Sequence, residues 1–214
     1  MITMGSLGIS GLAHLFGALA FILLLFWLLH FRQGIEYNSD NGSRVFNVHP
    51  LLMYSGFIFL AGEAMMAFQT IPSERKVKKF VHMALHLIAI ILGAIGLSAV
   101  FKYHNMIHIP HLYTLHSWIG IATFCLVVLQ WVIGFGVFML QGASAATRAT
   151  VLPWHKVGGK ALLFMAVCAA ETGLVEKYNF SELKPFQTQS YLVNFTGLAI
   201  LLFGVFVNFS FVLS

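Results

Sequence analysis

The stretch VKKFVHMALHLIAIILGAIGLSAVF, Val77 to Phe101, opens on Lys78 and Lys79, carries His82 and His86, and then runs apolar to its end without another charge. One helix of roughly 20 mostly apolar residues crosses a hydrocarbon core, so this run spells a membrane-spanning helix with a basic end. His82 and His86 stand four residues apart and share one face of that helix. An ionisable side chain inside the bilayer costs free energy to keep there and is by default a functional candidate.

The rest of the chain repeats the pattern. Of its 214 residues 59% are hydrophobic and only 9% charged, against about 25% charged in an ordinary soluble domain. Six apolar runs are separated by short polar segments: Ser6 to Phe31, Val48 to Thr70, Phe80 to Phe101, Leu112 to Leu140, Pro153 to Val175 and Ser190 to Ser214. The expectation is an all-α integral membrane protein of six transmembrane helices, with residues 1–214 forming a single domain. The first run has no Lys or Arg before it and is too long for a signal-peptide core, so it reads as a retained helix. Cys125 and Cys168 lie inside spans and no C-x-x-C-H occurs, so neither covalent haem attachment nor a disulfide framework is suggested, and the two cysteines read as core packing. The formal charge of +5 is assigned to loops that orient the chain, not to nucleic-acid binding.

Seven Lys and Arg residues flank the 2–3 and 4–5 connections (Arg75, Lys76, Lys78, Lys79, Arg148, Lys156, Lys160) and five lie on the other side. The positive-inside rule then places those connections, and with six spans both termini, in the cytosol. The sequons at Asn41 and Asn179 fall in connections assigned to the other side. Two more, at Asn194 and Asn208, lie inside the last span and carry no weight.

Four of the ten His residues sit near one end of the second to fifth spans: His49 in FNVHPLLM, His82 in KKFVHMAL, His116 in YTLHSWIG and His155 in LPWHKVGG. Because successive helices alternate direction, His49 and His116 fall toward the non-cytosolic face, and His82 and His155 toward the cytosolic face. Each face thus receives one pair, drawn from two non-consecutive helices of a central four-helix bundle (helices 2–5). Two imidazoles facing across a bundle supply what bis-His ligation of a b-type haem needs, and bundle cores hold such cofactors. An offset of 18 residues is about five helical turns, and from the four His it reaches Ala67, Val100, Gly134 and Gly173. Gly56, Gly93 and Gly120 lie close to the same faces, so these small residues are expected to leave room for a flat macrocycle. From His82, 19 residues on, the far end of its helix is roughly 28 Å away at about 1.5 Å per residue. Two haems would bridge that span in steps, and filled axial positions suit electron transfer.

On the cytosolic side Arg75, Lys76, Lys78, Lys79 and Arg148 concentrate positive charge that suits a small anionic reductant, with Lys79 and Arg148, nearest in sequence to His82 and His155, the leading candidates, although basic residues there also orient the chain and meet anionic lipid. On the other side Tyr103, His104, His108, His111 and Tyr113 crowd the approach to His116, where they could bind an acceptor, pass a proton or present ferric iron. A different class of protein competes: a metal-ion or proton transporter lined by the same His residues, without haem. A cytochrome b subunit of a quinol-oxidising complex would instead tend to carry two ligands on each of two helices.

FNVHP, the K-K-x-x-H-x-x-L-H of the third span, FKYHN followed by LYTLHSW, and LPWH together resemble the cytochrome b561 family of ascorbate-dependent transmembrane oxidoreductases, its plant members in particular. The resemblance runs from the first span to Asn194, with spacings of 34 residues from His82 to His116 and 39 from His116 to His155. It implies a homodimer with two non-covalent haem b groups, ligated by His49 with His116 and by His82 with His155, His86 lying beside the second. It implies electron donation by cytosolic ascorbate at Lys79, Arg148 and Arg75. The acceptor would be monodehydroascorbate or a ferric chelate, met at Tyr103, His104 and Tyr113 in a vacuole, vesicle or apoplast. TLHSW replaces the usual S-L-H-S-W with Thr114, which keeps the hydroxyl.

Overall fold

The computed structural model describes residues 4–140 and 142–212. No strand occurs among the described residues, and six helices are long and apolar enough to cross a membrane: α1 (Gly8–Phe31), α2 (Gly42–Thr70), α3 (Arg75–Met106), α4 (Leu115–Met139), α5 (Ala145–Phe180) and α6 (Thr188–Val212).

Three helices, α2, α3 and α5, outrun their apolar stretches. α3 holds 32 residues, about 48 Å of helix against a hydrocarbon core of about 30 Å. Hydropathy marks only the part in hydrocarbon, whereas the backbone ladder continues among headgroups and water. Arg75, Lys76, Lys78 and Lys79 therefore occupy the first turns of α3 and not a loop, and Tyr103 and His104 its last turn. Arg148, Lys156, Lys160, Glu176 and Lys177 are likewise helical, within α5. α4 starts later than expected, at Leu115. Thr114 and Ser117 close a reciprocal capping box there, with Ser117 N–H donating to the Thr114 hydroxyl at 3.2 Å and Thr114 N–H to the Ser117 hydroxyl at 3.1 Å.

In α2, Pro50 follows His49 directly and has no N–H to donate to the turn before it. Shortly afterwards the helix widens, and Met53–Leu60 is π-helical. Such widenings recur at functional sites.

α2 packs on α3 and α4 on α5, while α1 and α6 pair with each other and lie against α2 and α5. The densest core sits at that outer seam, where Leu24, Trp27, Met66, Phe203 and Val207 are buried. The bundle of α2–α5 is more open. Aromatic donors tie the helices together: the Tyr54 hydroxyl donates to the Gly17 carbonyl at 2.8 Å, and Trp131 Nε1 to the Met83 carbonyl at 3.1 Å. Interhelical hydrogen bonds in membranes contribute about 0.6 kcal/mol on average and up to about 1.7. Tyr54→Phe is therefore expected to lower the thermal midpoint of the detergent-solubilised protein slightly, without loss of helicity by circular dichroism. Ile22, Ile91, Leu129 and Phe164 are exposed and face lipid. Trp118 and Trp154, near the starts of the antiparallel α4 and α5, are also exposed, as expected of aromatic belts at the two interfaces.

Candidate functional site: two histidine pairs

α2 and α4 run in one direction and α3 and α5 in the other, so the four His side chains meet in two pairs toward opposite ends of the bundle. The ring centroids of His49 and His116 are 6.1 Å apart with their planes at 85°. Those of His82 and His155 are also 6.1 Å apart, at 68°. An imidazole nitrogen binds a transition metal at about 2 Å, so two imidazoles on opposite sides of one metal hold their centroids about 6 Å apart. Both pairs have that separation.

The tautomers suit the same role. Nδ1 of His49 lies 3.1 Å from the Gly96 carbonyl, that of His116 2.8 Å from the Ala169 carbonyl, and that of His82 2.8 Å from the Ala64 carbonyl. A carbonyl only accepts, so Nδ1 carries the hydrogen and Nε2 keeps the lone pair that a metal takes. Each carbonyl belongs to a neighbouring helix, which fixes ring orientation as outer partners of metal-bound histidines do. His155 rests against the Phe138 ring, at 5.3 Å.

The glycines divide into three kinds. A Cβ on Gly173 would lie 2.7 Å from His116 Cε1, and one on Gly134 3.0 Å from His155 Cε1. Each glycine of the α4–α5 pair thus seats the imidazole of the other helix. Gly120 has open space beside it and borders a cavity, as expected. Gly56 and Gly93 do not leave such room: a Cβ on Gly56 would strike Leu92 at 2.5 Å, and one on Gly93 would meet Phe124 at 3.0 Å. They serve close packing of α2 on α3 and of α3 on α4.

The cavity beside His49 and His116 measures about 560 Å³, within the range of about 300–1,000 Å³ for small-molecule and cofactor sites. Tyr103, His104 and Tyr113 all line it. His104 stacks on His111 at 5.4 Å with rings 6° from parallel, and approaches Tyr113 at 6.4 Å. Its Nδ1 donates to the Pro110 carbonyl at 2.9 Å.

Two cavity residues figured in the sequence only as orienting charges. Arg32, just after α1, and Lys177 on α5 both line the wall. The buried Nε of Arg32 has no hydrogen-bond partner. Burial lowers the pKa of its guanidinium from the usual arginine value, with Tyr103 acting in the other direction. The Lys177 ammonium sits 4.2 Å above the Phe46 ring. A cavity with two cations and an orphaned N–H fits a group bearing carboxylates, as the haem propionates do. In sequence each reads as a flank anchor, because nothing local shows which way it turns.

At the other pair, Arg75, Lys79, His82 and His86 recur at i, i+4, i+7 and i+11 and so share one stripe of α3. His86 packs edge-on against His82 at 4.6 Å. Lys79 Nζ donates to the Phe138 carbonyl and Arg148 Nη1 to the Ala143 carbonyl, both at 2.6 Å. The first brings Lys79 to the end of α4, where Phe138 touches His155, and the second turns Arg148 back to the α4–α5 connection. Arg75 is exposed at the start of the stripe. Among the described residues no three His, Cys, Asp or Glu side chains form a group that could hold a bare metal ion.

A six-span bundle with two opposed imidazole pairs, each spaced for one metal, is the architecture of a transmembrane b-type cytochrome. The chain belongs to the eukaryotic cytochrome b561 family, whose model matches residues 48–181. It is 40% identical over 209 residues to transmembrane ascorbate ferrireductase 1 of Arabidopsis thaliana, covering 96% of this chain and 87% of that one. It is 42% identical over 199 residues to ascorbate-specific transmembrane electron transporter 2 of Zea mays, covering 91% and 84%. A plasma membrane ascorbate-dependent reductase of Rattus norvegicus is 38% identical over 211 residues, covering 95% and 73%. Haem binding is general in this family.

Proposed function

We propose that the chain is an ascorbate-dependent transmembrane oxidoreductase that moves electrons from cytosolic ascorbate to monodehydroascorbate or a ferric chelate on the other side. The observation that carries this is the pair of 6.1 Å imidazole separations toward opposite ends of one bundle. The names of the relatives supply the donor. His49 with His116 would hold one haem b and His82 with His155 a second, with Arg32 and Lys177 set against the propionates of the first. Held by these imidazoles, each haem would supply a one-electron carrier. His86 supports the His82 ring. Residues 1–214 act as one unit, in a homodimer, with both termini cytosolic, in a vacuolar, vesicular or plasma membrane.

Lys79 and Arg148 bind and orient the ascorbate anion at the cytosolic mouth, and Arg75 adds positive charge at the rim. Tyr103, His104 and Tyr113 receive the acceptor. His104 donates from Nδ1 to Pro110, which leaves Nε2 free to accept a proton or meet a metal chelate. Hydrogen bonds to charged groups contribute about 1.5–3 kcal/mol. Lys79→Ala is therefore expected to raise KM for ascorbate by on the order of tenfold, at unchanged haem content. Arg32→Gln removes a cation beside the haem and is expected to lower its midpoint potential by tens of millivolts, a one-electron couple moving about 59 mV per tenfold change in equilibrium.

Proteoliposomes loaded with ascorbate test the activity. Reduction of an external ferric chelate, absent from vesicles without protein, is the expected result. Ascorbate-independent passage of metal or protons would favour the transporter instead.

A further inference from the structure

The FNVHP motif holds a polar residue besides its histidine. Asn47 lies two residues before His49 on α2, so its side chain leaves the helix on nearly the opposite side. It is fully buried, and its Oδ1 has no hydrogen-bond partner. An amide kept in such a place is kept for its two N–H donors, which a carboxylate or an apolar side chain of the same size lacks. Both are used. Nδ2 donates to the Arg32 carbonyl and to the Gly34 carbonyl, each at 2.7 Å. The carbonyl between them, that of Gln33, accepts from Nε of Arg44, three residues earlier on α2, at 3.0 Å. Three successive carbonyls of the turn after α1 are thus held by two side chains of α2.

That turn does not hold itself. Gln33 has φ 68° and Gly34 φ 94°, in the left-handed region that an L side chain such as that of Gln33 enters only at a cost. Gly34 N–H closes the end of α1 on the Leu28 carbonyl at 3.0 Å. Arg32 stands at the entry to this reversal, and its side chain lines the cavity beside His49 and His116 with Nε buried and unpartnered. A guanidinium free to rotate would turn out to water, where its charge is better solvated. The backbone that carries it is fixed from α2, the helix that also carries His49.

We infer that Asn47 is a positioning residue of the His49/His116 site: through its two bonds to the turn it holds Arg32 in the cavity and keeps a fixed positive charge beside the group bound there. On the haem reading of that cavity, on which this rests, loss of the Asn47 amide is a partial form of loss of the Arg32 guanidinium. The two changes should therefore move the same potential in the same direction and should not add.

The test is a spectroelectrochemical titration of the full chain in nanodiscs, with haem counted in each sample. Asn47→Leu keeps a side chain of similar size, adds no charge and has no N–H to donate. It is expected to retain both haems and to lower the midpoint potential of one, by about threefold in the redox equilibrium or roughly 30 mV at about 59 mV per tenfold. In an Arg32→Gln background the same substitution should shift that potential no further, because the two residues act through one group. Gly34→Ala reaches the turn without touching the core, and carries the test should Asn47→Leu not fold by circular dichroism. A Cβ at Gly34 would meet nothing within 4 Å, so the substitution strains the backbone at φ 94° without a clash, and it should behave as Asn47→Leu does. With two haems per chain, unchanged potentials in both variants, or a shift that persists in the Arg32→Gln background, would overturn the positioning role alone. A wild type that binds no haem would overturn the proposed function and the positioning role together.

Discussion

His116→Ala is expected to leave one haem per chain in place of two and to abolish transmembrane ferric reduction, while ascorbate still reduces the haem that remains. Each pair is built separately: His116 is held by the Ala169 carbonyl and faces only His49 of the four, whereas His82 is held by the Ala64 carbonyl at the other end. Removing one imidazole would leave His49 alone in a cavity of about 560 Å³, but no bond of the His82/His155 pair changes. The check is a pyridine haemochrome count beside a proteoliposome assay, with stopped-flow reduction from the side of Lys79 and Arg148. Two retained haems, or transfer at the wild-type rate, would show that His116 is not a ligand.

The second large effect comes from a residue that offers no ligand atom. A methyl group at Gly173 would stand 2.7 Å from Cε1 and 2.9 Å from Nδ1 of His116. The imidazole would have to move and so give up its bond to Ala169. Overpacking of this kind costs about 1–3 kcal/mol in a well-packed interior. Gly173→Ala is therefore expected to lose or loosen the same haem as His116→Ala, with the low-spin spectrum of one haem disturbed and that of the other intact. Gly56→Ala makes the informative comparison. Its clash is with Leu92, so it should lower the melting temperature and leave the axial ligation of both haems as it was. Equal spectra for wild type and Gly173→Ala would refute the seating role.

The six spans, the central bundle and the four paired histidines were legible because each rests on a local signal: an apolar run, its length, and a polar residue at a fixed depth in it. Helix ends were not, since Arg75 to Lys79 and Tyr103 to His104 continue a helix through polar sequence that hydropathy assigns to loops. The glycines show a further limit. Periodicity placed Gly56 and Gly120 alike near histidine faces, but only contacts from other helices decide that Gly56 meets Leu92 and Gly120 meets open space. Arg32 and Lys177 were counted as charges on one side of the membrane, and their turn into the cavity depends on the arrangement of α1, α2 and α5. His82 and His86 shared one face in the sequence, and the separation of 6.1 Å from His155 favours His82.

Haem content of the purified wild-type protein, quantified by absorption before and after ascorbate is added, tests the central claim most directly. Two b-type haems per chain, both reduced by ascorbate, are the predicted result. A colourless protein from cells supplied with haem, still folded and helical, would contradict it.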